Sequence, residues 1–458
     1  MSELQLNRLE LKNFRCFEHL AIDFHPQLTV LVAENGAGKT SILDAIAVAF
    51  GPFVGAFDDG VGPGFLPSDI RVSQVRQTSG NEMEYAPEGV ALAAKGRIPG
   101  DALGLDIHSS EWQWARHLAG PKKSKTTIKD AKALVDCAKA LQHDVRAGQT
   151  VNLPLLAYYG TNRLWQVRKL VAKKLAQTSR MVGYTDCLSS GSNYKIFCEW
   201  FRYWSNSAFA HAHRAAKQGS PDDRSEFDDY IDCVVQAIST CLAPTGWCCI
   251  HYDVGQEELV ALHQDAGTMP VAQLSDGVRN MIGLVADIAF RATKLNPHLG
   301  LEAARQTEGI VLIDEVDMHL HPSWQQTVLA SLQEAFRNIQ FIVTTHSPQV
   351  LSTVSREHIR VLEQRAGVYT ASSPAFSALA HESGDALARI MQVHKEPELS
   401  IQDDIRAFEQ LVRSGQEQSQ EAQSLKIKID SQGYEFHESD LTLWRFLALQ
   451  ADGKGQHG

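Results

Sequence analysis

Residues 30–50, VLVAENGAGKTSILDAIAVAF, restrict the fold more than any other stretch of this chain. An apolar run of strand length enters a glycine loop, and the loop leads into apolar residues at helical spacing. That order places the loop at the end of a buried parallel strand, with the helix returning across the sheet. The loop is one residue short of the phosphate-gripping pattern G-x-x-x-x-G-K-[ST], because Ala33 stands where the first glycine is expected. In such a loop the backbone amides and the positive end of the helix surround phosphate oxygens, the lysine adds charge and the hydroxyl binds magnesium. Here Asn35, Gly36, Ala37, Gly38, Lys39, Thr40 and Ser41 form the cradle. Alanine at 33 adds one methyl where the strand ends and removes no donor, so it is expected to be tolerated.

Three further stretches supply matching chemistry. EGIVLIDEVDMHLHP (308–322) reads as a buried strand ending in two carboxylates, at the edge of a parallel sheet where ligands bind. Asp314 is expected to hold the magnesium shell, and Glu315 to orient or deprotonate the attacking water. QLSDGVRN (273–280) places Ser275 and Gly277 at the start of a long helix, a terminus suited to a γ-phosphate. TTHSP (344–348) places His346 at a strand end, where it would contact the γ-phosphate or position water. Taken alone, S-D-G is an ordinary helix cap and a single histidine is ordinarily structural.

The remainder of the chain sets bounds. With 458 residues it is too long for one ordinary core, and two or three packed units are expected. No segment approaches the roughly 20 apolar residues of a membrane span. The opening MSELQLNRLELKNF lacks the layout of a signal peptide, so the expected compartment is the cytoplasm. Eight cysteines (16, 137, 187, 198, 233, 241, 248, 249) include no C-x-x-C pair, which argues for reduced thiols and against a zinc module. Adjacent Cys248 and Cys249, in the strand-like WCCIHYDV, read as buried small hydrophobes.

A net charge of −11 weakens any claim that the whole surface attracts nucleic acid. Two local basic runs, 163–180 and KKSKTTIK at 122–129, suit phosphate contact and equally suit a solvated helix face. Trp165, Trp200 and Trp204, at helical spacing, read as core or subunit interface.

In the order glycine loop, LSDG, IDE and histidine, these motifs resemble an ABC-type ATPase head of the SMC and RecF-like class, as does the opening LKNFRCF. A narrower resemblance, carried by HLHPSWQ (319–325), IQFIVTTHSPQVL (339–351), LSDGVRNMIGLVADIAFR (274–291), AYYGTNR (157–163) and ESGDALARIMQV (382–393), is to the ATPase subunit of Septu anti-phage systems and its retron-associated relatives. It covers both ends and the inner half of the chain; residues 52–150 match weakly.

The resemblance implies an α/β P-loop head, a mixed sheet with covering helices, carrying an inserted helical subdomain and a helical C-terminal tail. It implies ATP and Mg2+ as ligands, Arg15 near the nucleotide, and two subunits sandwiching ATP with each Ser275 facing the other's γ-phosphate. It also implies an HNH-type nuclease partner, and it makes His319 and His321 part of a turn, not a metal site. The expected division is 1–160 and 246–372 as the two lobes of the head, 161–245 as a helical arm and 373–458 as the tail. Gln74 and Asp69 are candidates for the residue coupling the arm to magnesium. Only about 110 residues follow His346, too few for the nuclease domain of OLD-type proteins, so the chain is expected to cut nothing itself. The rival readings are a DNA-repair ATPase working on DNA ends without a nuclease, and a scaffold that senses ATP without hydrolysing it.

Overall fold

The computed structural model describes residues 4–77, 80–99, 111–122, 125–161, 179–190, 194–220, 223–393 and 399–454. It divides into two compact units, Met1–Met391 and Gln392–Gly458.

The centre of the first unit is a six-stranded sheet in the order β15-β14-β3-β13-β12-β8. Its strands are β3 (Leu28–Val32), β8 (Leu155–Tyr159), β12 (Gly309–Ile313), β13 (Ile339–Thr344), β14 (Ile359–Arg365) and β15 (Val368–Ser372). All neighbours are parallel except the edge pair of β14 and β15. Every residue of β3, β8, β12 and β13 is buried. Continuous apolar runs, as opposed to alternating ones, are what strands covered on both faces require.

The β1–β2 opening instead alternates. β1 (Gln5–Phe14) and β2 (Phe17–Asp23) pair antiparallel with β6 (Val90–Arg97) and β7 (Trp112–Leu118) in the order β2-β1-β6-β7. β4 (Val72–Gln77) and β5 (Gly80–Tyr85) form a separate hairpin. A third small sheet holds β9 (Trp247–Asp253), β10 (Glu258–His263) and β11 (Gly267–Pro270).

Helix α1 (Lys39–Val54) runs further than the glycine and proline from residue 51 onward suggest, because it continues through Pro52. Proline removes the amide that would bond the carbonyl four residues earlier. That carbonyl, Val48 O, accepts instead from Arg116 Nη1 at 2.6 Å, and the same nitrogen reaches Pro63 O at 2.7 Å. Trp114 Nε1 donates to the next carbonyl, Ala49 O, at 3.1 Å. The antiparallel sheet therefore completes the helix that carries the glycine loop.

Helices α2 (Lys132–Arg146), α3 (Tyr194–Lys217), α4 (Glu226–Leu242) and α5 (Asp276–Leu295) follow. Trp200 and Trp204 are core residues, with ring centroids 6.2 and 5.7 Å from Phe290 of α5. Trp165 lies outside the described residues, as do 163–178 of the basic run. The run's last member, Arg180, spends its guanidinium on Leu295 O and Val151 O, each at 2.7 Å. Short helices α6 (Ala303–Gln306), α7 (Pro322–Gln325), α8 (Val328–Ala335), α9 (Pro348–Leu351) and α10 (Ser383–Arg389) complete the unit.

The second unit packs α11 (Ile401–Arg413), α12 (Gln420–Ser431) and α13 (Glu438–Lys454) around Phe408, Val412, Ile429 and Trp444. No described helix is long and apolar enough to cross a membrane.

One sequence expectation is corrected. Cys248 and Cys249 are partly exposed, not buried, because β9 belongs to the small third sheet, in which only Ile250 of that strand is buried.

Candidate active site

Parallel registry brings the ends of β3, β12 and β13 to one edge of the sheet, and the residues just beyond them converge there. The glycine loop turns with Gly36 at φ 80° and Gly38 at φ 97°, values that L side chains rarely adopt. A Cβ on Gly38 would also lie 2.4 Å from the Phe17 ring, so the second glycine is required twice over. Helix α1 then starts at Lys39 with no side chain capping its first turn, which leaves an anion site of backbone amides. Lys39 is buried, and its Nζ donates to Ala33 O at 2.8 Å and Glu34 O at 3.1 Å. Ala33 thus serves through its carbonyl, which any residue supplies. Burial pushes the Lys39 ammonium down from its ordinary value, against the pull of Asp314, Glu315 and Asp317.

Thr40 and Asp314, 274 positions apart in the chain, meet with Thr40 Oγ1 donating to Asp314 Oδ2 at 2.8 Å. The other carboxylate oxygen accepts from Thr344 Oγ1 at 2.6 Å, and that hydroxyl accepts from Glu315 N at 2.7 Å. Glu315 sits at φ 50°, a costly conformation for a residue with a side chain, held in place by this bond. Thr345 Oγ1 donates to Asp317 Oδ1 at 2.5 Å, and Ser347 Oγ to Gln325 Oε1 at 2.6 Å. The threonines were missed in the sequence. Their signal is the pair immediately before His346, at the end of a strand adjacent to the one bearing the acids.

His346 is partly buried at the same edge. Burial and then Lys39 lower its pKa, while Glu315, Asp317 and Asp314 oppose them, so the ring is neutral at pH 7.

Arg15 is anchored, not free. Its Nε donates to Asp69 Oδ1 at 2.9 Å, and its Nη1 to Asp44 Oδ2 at 2.5 Å and Ser41 Oγ at 3.4 Å. Tyr158 OH holds the other oxygen of Asp44 at 2.9 Å. Arg15 therefore pins the β1–β2 turn to the first turns of α1. Asp69, buried and also bonded to Leu66 N, is spent on that clamp; the side chain of Gln74 lies outside the described residues.

The LSDG stretch has different surroundings. Ser275 stands at the N-cap of α5 but makes no capping bond, and it is exposed. Gly277 is buried, with His319 O only 2.3 Å from where a Cβ would sit. The glycine is thus what lets α5 lie against the turn that follows the acidic strand. Deeper in α5, Asp287 accepts from Arg291 Nε at 2.8 Å and Tyr159 OH at 2.7 Å, all three buried. Tyr159 O in turn accepts from Asp314 N at 2.8 Å, so this helix is joined to the acidic strand through β8. His321 accepts from Ser323 N at the start of α7, a structural use.

A family profile described as an AAA domain matches residues 8–212. A second, described as an AAA domain, putative AbiEii toxin, Type IV TA system, matches 260–352. The chain is 24% identical over 481 residues to the Retron Vc95 probable ATPase of Vibrio cholerae serotype O1 biovar El Tor, covering 93% of this chain and 87% of that protein. It is 40% identical over 104 residues to the Septu protein PtuA of Bacillus mycoides (strain KBAB4), covering 22% of this chain and 14% of that protein. The chain is thus similar to retron probable ATPases along most of its length and to Septu proteins PtuA over about a fifth of it.

Among solved structures, the SMC head bound to the C-winged helix domain of ScpA aligns over 80% of this chain and 97% of its own, at 16% identity and a TM-score of 0.47. Residues 33–41 lie within the first profile match, and Ser275, Asp314, Glu315 and His346 within the second. The donors present fit a magnesium nucleotide. A threonine hydroxyl and a carboxylate are hard oxygen ligands, and no described group of three or more His, Cys, Asp or Glu offers a competing metal site.

Proposed function

We propose that this protein binds and hydrolyses ATP with Mg2+ between two copies of the chain, and acts in an anti-phage defence complex with an HNH-type nuclease. The observation that carries the reading is the Thr40–Asp314 contact at 2.8 Å, with Lys39, Glu315 and His346 gathered at the same sheet edge. Loop amides from Gly36 to Ser41 and the Lys39 ammonium bind the triphosphate. Thr40 and Asp314 hold Mg2+, which neutralises charge on the phosphate oxygens. Glu315 orients the attacking water and takes its proton, and Thr344 keeps the Glu315 backbone in the conformation this needs. Neutral His346 donates one N–H towards the γ-phosphate. Arg15 supports the cradle wall through Ser41 and Asp44.

The exposed Ser275, whose hydroxyl makes no capping bond, supports the two-chain arrangement, since a hydroxyl at a helix N-terminus is left to meet a ligand held by another copy. The defence setting rests on the retron and Septu relatives, and the nuclease partner on the family resemblance carried by the sequence segments.

The deciding experiment mixes two inactive variants. Lys39→Ala spoils the cradle and Ser275→Ala the facing helix end, so each homodimer has no intact site, while the mixed dimer has one. Mixing is expected to restore about a quarter of wild-type turnover, from half the dimers each with one of two sites. No recovery on mixing, with both variants folded, rejects the two-chain site.

A further inference from the structure

Cys248 and Cys249 are neighbours on β9, where successive side chains ordinarily point to opposite faces. Their Sγ atoms nevertheless lie 3.7 Å apart. The pairing of β9 with β10 explains this. Ile250 faces Ala261 and Trp247 faces His263, so between those pairs two residues of β9, the cysteines, oppose Leu262 alone. A two-against-one bulge re-aims a side chain, and here it brings both thiols together. The arrangement is held from both sides: Ser239 Oγ donates to Cys248 O at 2.9 Å, and Cys248 Sγ approaches Leu262 O at 3.2 Å. Both cysteines are partly exposed, whereas Cys137, Cys187, Cys233 and Cys241 are buried.

We propose that Cys248 and Cys249 form a vicinal dithiol, a thiol-modification site that low-molecular-weight disulfides close into a labile ring and that trivalent arsenicals bridge. One thiolate attacks the disulfide oxidant, forming a mixed disulfide and releasing one small thiol. The second thiolate then attacks the protein sulfur of that mixed disulfide, forming the Cys248–Cys249 bond and expelling the second small thiol. Two electrons and two protons pass from the protein dithiol to the oxidant, which leaves as two reduced thiols.

Adjacent Cα atoms are about 3.8 Å apart across a trans peptide, below the roughly 4.4–6.8 Å of relaxed disulfides, so the ring is strained and readily reduced. Burial and the neighbouring thiol raise the Cys249 pKa, which favours a slow, oxidant-dependent response. The site also has a position of interest. The same sheet passes through β10 and β11 into the turn that precedes Ser275.

The full-length protein is incubated with oxidised glutathione, alkylated with N-ethylmaleimide, digested and analysed by mass spectrometry. The expected product is a Cys248–Cys249 peptide lighter by two hydrogens and unalkylated, which dithiothreitol returns to a doubly alkylated form. Prior phenylarsine oxide is expected to protect both thiols from alkylation. Cys248→Ala and Cys249→Ala should each stop at a stable mixed disulfide on the remaining cysteine and lose arsenical protection. The proposal is overturned if the wild type stays doubly alkylated or stops at the mixed disulfide. It is equally overturned if arsenical protection survives either substitution. Should an alanine variant fail to fold, competition on the wild type between phenylarsine oxide and excess monothiol decides, because a bridged dithiol resists it and a single thiol does not.

Discussion

Helices α1 and α5 both have a glycine at their start, Gly38 just before the first residue of α1 and Gly277 in the first turn of α5, yet their surroundings differ. The start of α1 is enclosed: Lys39 is buried, Thr40 is bonded to Asp314, and Arg15 clamps the following turn. At α5, Ser275 is exposed and uncapped, while Gly277 serves packing against His319 O. The same local chemistry thus gives one helix start enclosed by bonded side chains and another whose serine hydroxyl makes no capping bond. The contrast shows that a helix N-terminus gains its function from what the sheet edge brings to it.

The largest effect expected is on hydrolysis at the enclosed end. Glu315→Gln should lower turnover by roughly 10²–10⁴-fold, the usual contribution of a general base, while nucleotide binding persists. A steady-state phosphate-release assay beside a binding titration checks this, and comparable losses in both would mean that Glu315 acts in folding and not in chemistry. Lys39→Ala should weaken ATP binding by roughly 10- to 150-fold, from about 1.5–3 kcal/mol for a charge-assisted bond. In the same calorimetric titration of dilute protein, Ser275→Ala should bind as the wild type does. A matching loss in Ser275→Ala would erase the contrast between the two helix ends.

Gly277→Ala tests the packing role. With a backbone oxygen 2.3 Å from the new Cβ, overpacking should cost about 1–3 kcal/mol in denaturant unfolding. An unchanged midpoint would show that the turn yields easily and that Gly277 is open to a ligand.

The smallest expected effect is with pH. Burial and Lys39 lower the His346 pKa below 6.5. On acidification the unfolded chain takes up this proton first, so stability from the site is present above pH 6.5 and is lost as the pH falls through the lowered value. Thermal melts of wild type and His346→Gln should therefore diverge only below about pH 6.5. Divergence that begins well above it would place a charged imidazole in the folded site.

Much of this was legible in the chain because the motifs are local. The strand, loop and helix at 28–54, the acids after β12 and the histidine after β13 each declare themselves within one continuous stretch of sequence. Other features had no such signal. Asp287 reads as an interruption in an apolar run, and only the structure pairs it with Arg291 and Tyr159. Arg116 reads as one charge in a strand, yet it replaces the hydrogen bond that Pro52 removes from α1. The two cysteines read as buried hydrophobes until the strand pairing revealed the bulge.

The amino-acid order alone determined which chemistry is present: a phosphate loop, two strand-end carboxylates, a serine-bearing helix start and a histidine. These depend on backbone preferences and side-chain types acting over a few residues. The tertiary structure alone decided which of them meet. Thr40 touches Asp314 and Thr344 holds Glu315 because parallel pairing sets β3 beside β13 and β13 beside β12, in an order the chain does not follow. That order is fixed by burying apolar strand faces on both sides, a collective gain that no short segment encodes.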